Sequence, residues 1–148
     1  MLLHRYHQIN MKGETDMKIV YNNIIPFESF KSMACVWWIF ARKGARMFPW
    51  DIRHEETHGV QQRELTVVGI CIAVVLAVAG CGWWSLLAVP LFFWWYLLEW
   101  LIRWAYYRNR TTAYKNIAFE REAYDNEHDA VYLDNRKPFA FIKYLYCP

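Results

Sequence analysis

No two of the four cysteines, Cys35, Cys71, Cys81 and Cys147, form a C-x-x-C pair, and no other spacing among them matches a zinc knuckle. That excludes a thiolate metal site. It leaves Cys71 and Cys81, which lie in apolar sequence, as small hydrophobes. An apolar leader is also missing, because residues 1–10 are polar and carry His4, Arg5 and His7. Met11 and Met17 are alternative starts, so residues 1–16 are expected to be a disordered tail or an over-extended start, with His4 and His7 outside any metal site. The chain lacks a strong excess of one charge. A net charge of +3 gives no case for a nucleic-acid partner.

The most informative absence is internal. From Leu65 to Leu98 no side chain is charged. One helix of that length would reach about 50 Å, well beyond a hydrocarbon core of about 30 Å. Gly80-Cys81-Gly82 supplies a tight turn in the middle, and Trp83-Trp84 suit a lipid–water interface. The expectation is a membrane hairpin of two helices, about 65–79 and 83–102, each short for a full span, with Pro90 kinking the second. Arg42, Lys43, Arg46, Arg53 and Arg63 precede the hairpin, and Arg103, Arg108, Arg110 and Lys115 follow it; the turn carries no charge. The positive-inside rule then puts both flanks in the cytoplasm. Localisation is expected to be a bacterial inner membrane, multi-pass, with membrane lipid as a partner.

What is present completes the outline. Nine Trp, ten Tyr and nine Phe in 148 residues fit a membrane-associated single domain, covering residues 17–148. Ser32–Phe40 and the following Arg42–Arg46 read as a strand entering a turn, with a second short strand through Met47-Phe48. Asp51 is a candidate N-cap for a helix running from about 52 to 79. Arg110–Asp129 is a further helix candidate, and Phe139–Tyr146 an amphipathic tail suited to a membrane surface. Glu99 and Arg103 stand four apart, as in a helical ion pair.

His54-Glu55-Glu56-Thr57-His58 carries the chemistry. On a helix, residues four apart share a face, so both imidazoles can grip one ion. Glu55 lies beside that ion as a base for its water. The pattern predicts Zn²⁺ as cofactor, with His54 and His58 as metal ligands and Glu55 as the catalytic base. Glu56 faces away from them, toward solvent or a salt bridge. Gln61 and Gln62, one turn on, either orient a ligand or form polar surface above the bilayer.

A catalytic zinc needs a third protein ligand. Downstream, Phe119-Glu120-Arg121-Glu122-Ala123-Tyr124 resembles the gluzincin group of zincins, including its integral-membrane metallopeptidases. Their E-x-x-A-D segment supplies a Glu ligand. By that resemblance Glu120 is the third ligand, with Glu122, Glu127 and His128 as alternatives. Tyr124 stands where the group has an Asp that orients the first His, so His54 lacks an evident carboxylate partner. A broader resemblance, over most of residues 18–146, is to small uncharacterised bacterial membrane proteins with HExxH and FEREAY-like motifs. It implies a shared architecture and no substrate.

The expected fold is therefore mainly α and integral to a membrane: a minimal zincin-like helical core, a two-helix hairpin and a short upstream β-hairpin. The expected function is zinc-dependent hydrolysis of peptide bonds at the cytoplasmic interface, on a peptide or membrane-protein substrate. Tyr124, Tyr114 or His128 would assist at the oxyanion. An edge strand at 33–42 would pair with the substrate. The alternatives are a zinc hydrolase of a lipid or other amide, and a non-enzymatic membrane protein with a structural or degenerate metal site.

Overall fold

The computed structural model describes residues 17–27 and 30–146; the expectations for residues 1–16 and Cys147 fall outside them. Three short strands come first: β1 (Lys18–Asn22), β2 (Ser32–Cys35) and β3 (Trp38–Arg42). The expected upstream strand is thus a hairpin of two, broken at Val36-Trp37, with Met33 opposite Phe40 in antiparallel register. β1 adds to it in parallel, giving the order β1-β3-β2. Met47-Phe48 forms no strand. Ile39 and Ala41 point from β3 into a small core with Ala34, Met47 and Ile52.

The chain then enters α1 (Pro49–Val78), a single helix that carries the HEETH motif. Pro49 opens it, where a missing N–H costs nothing. Asp51 is not the N-cap: it sits one turn in, and its Oδ2 accepts the Phe48 N–H at 2.8 Å. Gly59 does not weaken the helix to no purpose. A Cβ there would lie 2.4 Å from Met17 Sδ, so glycine lets the sheet side close onto α1. Gln62 fixes that contact, accepting from Val36 N–H at 2.7 Å and donating to the Ala34 carbonyl at 3.1 Å. It is 3 % exposed, not polar surface above a bilayer.

α1 is long and apolar enough to cross a membrane. The expected second helix over 83–102 is not continuous. Residues Gly82–Ala88 form a 3-10 segment, and only after Pro90 does α2 (Leu91–Tyr107) begin, bent by 63° from that segment. The break falls at Pro90, the position of the expected kink, because Pro90 cannot donate the N–H that a continuous helix requires.

α3 (Arg110–Lys115) and α4 (Ala118–Asn126) replace the single helix expected over 110–129, and α5 (Tyr132–Asn135) follows. Glu99 explains the restart at Ala118. Its Oε1 accepts the Ala118 N–H at 2.9 Å while the same carboxylate pairs with Arg103 at 2.6 Å, so the helical ion pair also caps α4. The tail has one face in the core and one outward, with Ile142 and Tyr146 exposed. Phe141 and Tyr144, in a 3-10 turn at Ala140–Tyr144, are buried with Phe119, Phe92 and Leu65 in the main core.

Candidate metal centre

α1 presents His54 and His58 on one face, and the first turn of α4 carries Glu120 against them. The three side chains form a buried cluster that could hold a metal ion. His54 Nε2 and His58 Nε2 are 3.2 Å apart; Glu120 Oε2 lies 3.4 Å from the first and Glu120 Oε1 3.2 Å from the second. Tetrahedral zinc ligands with bonds of about 2.0–2.1 Å sit about 3.3 Å from one another. Each contact is of that length, with Glu120 meeting the two imidazoles through its two different oxygens.

Hydrogen bonding fixes which atoms face inward. Gln61 donates its amide to the Phe119 carbonyl at 3.2 Å and to Glu122 Oε2 at 3.1 Å, so its Oε1 is the atom left for His58. His58 Nδ1 donates to that oxygen at 2.8 Å, and His54 Nδ1 donates to Glu127 Oε2 at 3.0 Å. Both Nε2 atoms then offer lone pairs to the same point. Glu120 joins them as an anion whose Oε2 is buried without a hydrogen bond; Oε1 accepts from Tyr96 at 2.9 Å. Three converging lone pairs repel unless a proton or a metal ion lies among them. The donor set, two imidazoles and one carboxylate, suits zinc.

The electrostatics say the same. Burial disfavours charge on both His58 and Glu120, yet each outweighs it for the other. His58 is raised to about 9, chiefly by Glu120 with help from Glu55 and Gln61, and Glu120 is held well below the usual carboxylate range by the two imidazoles. Metal entering at pH 7 must expel the His58 proton. Apparent affinity should therefore rise about tenfold per pH unit up to about pH 9 and then level. Zinc titration calorimetry in buffers of different ionisation enthalpy would read about one proton released near neutrality. No proton release would mean that His58 is not a ligand.

Glu127 is the carboxylate that sequence reasoning could not find for His54. It lies seven residues beyond Glu120, two helical turns, and that spacing was its only signal. Tyr124, in between on the same face, packs its ring edgewise on His54 at 4.5 Å. Glu127→Gln is expected to weaken zinc binding about 10–100-fold while the protein stays folded; unchanged affinity would show that His54 needs no such partner.

The other candidates sort by position. Glu122 is fully buried, but it bonds Arg136, Tyr132 and Gln61 rather than joining the triangle. His128, 74 % exposed, pairs with Glu127 at the rim. Glu56 is buried at 6 % exposure instead of facing solvent. Glu55 stands at the triangle's edge, its Oε1 accepting from Ser32 Oγ at 2.7 Å. Ser32, on β2, is a neighbour that no sequence spacing announced.

Two cavities meet at His54 and Glu55. The outer cleft, about 1010 Å³, runs between α1, α2 and α3, with Trp50, Leu97, Trp100 and Tyr114 among its walls. The inner chamber, about 210 Å³, is mostly apolar, walled by Met33, Ala34, Phe92 and Phe93 beside Glu120. Tyr114 and Tyr124 both border the cleft, and burial beside Glu120 pushes both hydroxyls above the usual phenol range, so both stay donors. Comparison of the chain with protein-family models, with curated proteins and with solved structures finds no match.

Proposed function

We propose that this protein is a zinc-dependent hydrolase that cuts peptide bonds at a membrane interface. The observation that carries the reading is the buried His54–His58–Glu120 triangle, whose unpaired Glu120 Oε2 and two inward lone pairs call for a cation. Three protein ligands leave a fourth position for water, as a catalytic zinc needs and a closed structural one does not. A zinc ion held there would supply Lewis acidity, acidifying a water and polarising a carbonyl.

Everything else is the work of this chain's side chains. Glu55, held by Ser32, accepts the proton of the attacking water and returns it to the leaving amine. Tyr114 and Tyr124, protonated donors on the cleft wall, stabilise charge developing on the carbonyl oxygen. Of the expected edge strand over 33–42 only the β2 part is at an edge, since β3 is central. β2 is one of the sheet's two edges, and Ser32 at its start borders the cleft, where an extended peptide could pair with it. The gluzincin resemblance supports the same assignment. The apolar inner chamber favours a second reading, hydrolysis of an amide on an apolar chain.

Membrane association rests on exposed apolar surface. Only 28 % of the apolar stretch of α1 is buried, unlike the core helix of a soluble protein. The basic residues flanking residues 65–98 favour a cytoplasmic site. Chelation tests the chemistry. In detergent, cleavage of peptide and acyl-amide reporters should stop with a chelator and return with zinc. Cleavage that survives chelation would refute it.

A further inference from the structure

We propose that residues 65–89 do not cross a bilayer: they enter one leaflet from the side of the metal centre, as a re-entrant wedge tipped by Trp83 and Trp84. The inference rests on the membrane reading above and replaces a spanning hairpin with a one-sided one. Its starting point is Gly69. A Cβ there would lie 2.3 Å from the Ala88 carbonyl oxygen and 2.8 Å from that of Val89, so the backbone of the return segment touches α1 at this level.

Lengths on the two sides of the wedge agree. From Gly69 to Val78, α1 rises about 14 Å at about 1.5 Å per residue. The 3-10 segment Gly82–Ala88 descends about 12 Å at about 2.0 Å per residue. Half of a hydrocarbon core is about 15 Å. Gly80 and Gly82, at φ of +89° and +56°, make the turn at the tip. The paired part of the hairpin is therefore about one leaflet deep.

At its base the chain turns away. α2 leaves the return segment at 63°, a bend that a re-entrant segment makes where it returns to the interface. Its two faces differ: Phe92 and Glu99 are buried, while Phe93, Leu97, Leu98 and Ile102 are 47–60 % exposed along one stripe. That is a helix with one face packed on the protein core and an apolar face outward, which suits the plane of the interface with the outer face in the acyl region. The tip suits lipid too, since Val78, Trp83 and Trp84 are 77–88 % exposed and no charge lies near them in sequence. The wedge places the two tryptophans deeper than the interfacial position expected from their type. Phe93 walls the inner chamber as well, so the metal centre would sit at headgroup depth.

Cys81, exposed beside the tip, is a native reporter. With Cys35, Cys71 and Cys147 changed to Ser, the protein is placed in sealed vesicles of phosphatidylcholine and phosphatidylglycerol. A membrane-impermeant maleimide is then offered to either face. Cys81 should stay unlabelled from both faces and react once detergent dissolves the bilayer, whereas an Asp125→Cys reporter reacts from one face. Labelling of Cys81 from the face opposite Asp125→Cys would establish a spanning hairpin and overturn the wedge. Labelling from the same face, with protein left in the supernatant, would overturn lipid as the partner.

Independently, Trp83→Asp with Trp84→Asp should weaken vesicle co-sedimentation at least about tenfold, because the tip lies in hydrocarbon. Unchanged binding would also overturn the wedge. Zinc content of the same variant should be normal, so loss of the wedge and loss of the metal reading give different results.

Discussion

Glu55→Gln should keep its zinc and lose its hydrolysis, whereas His54→Ala should lose both. The two outcomes follow from where each side chain sits. Glu55 is outside the ligand triangle, bonded to Ser32 Oγ at 2.7 Å, and glutamine can keep that acceptor while losing the capacity to take a proton. Removing a general base costs about 10²–10⁴-fold in rate. His54 is one corner of the triangle, 3.2 Å from His58 Nε2 and 3.4 Å from Glu120. Losing a residue that merely orients a ligand costs about 10–100-fold in metal affinity, so losing the ligand itself should cost more. Metal analysis of protein purified in detergent, with single-turnover hydrolysis on the same samples, reads both quantities. Stoichiometric zinc in His54→Ala would end the metal assignment. Full activity in Glu55→Gln would leave a metal site with a different chemistry.

The pairing of the two histidines was legible because HExxH is local. Four residues are about one helical turn, and nothing between Pro49 and Val78 stops the helix. Glu120 came from a resemblance. Spacing alone left Glu122 open, and the buried polar network around Glu122 is what separates the two. Glu122 belongs to Arg136 and Glu64, which stand 72 residues apart in sequence, a distance at which no periodicity survives. Ser32 and Gln62 join sheet to helix across 23 to 28 residues and were equally silent. β1 was missed because its partner β3 lies 20 residues on, and a five-residue strand in parallel register has no turn signal to announce it. The apolar half of the chain misled in the opposite way. Its composition predicts lipid contact, but a run without charged residues carries little period, so the segment before the expected kink at Pro90 reads as α-helix, where the structure has a 3-10 turn packed on Gly69.

The buried Arg136 carries the second large effect. Its side chain is 2 % exposed; Nη1 and Nη2 reach the two oxygens of Glu64 at 2.6 and 3.1 Å, and Nε meets Glu122 Oε1. Tyr132 donates to Glu122 Oε1 at 2.8 Å, and the Phe139 N–H to Glu64 Oε1 at 3.0 Å. One guanidinium thus holds α1, α4 and the C-terminal turn together. Arg136→Met leaves the buried Glu122 and the part-buried Glu64 without their cation, and breaking a buried pair from one side costs about 3–5 kcal/mol. Arg136→Lys keeps the charge but cannot fork to both acids, so it should fall between. Denaturant unfolding in micelles measures the order. A cost below about 1 kcal/mol for Arg136→Met would show that the network contributes no more than a surface pair. The same variant should bind zinc about 10–100-fold more weakly, because Glu122 holds the Gln61 amide whose oxygen sets the His58 tautomer. Glu122→Gln separates the two effects. It removes one buried anion and keeps an oxygen for Arg136, so stability should change less than in Arg136→Met. Its amide can turn a donor toward Gln61 and loosen His58, which zinc affinity would report.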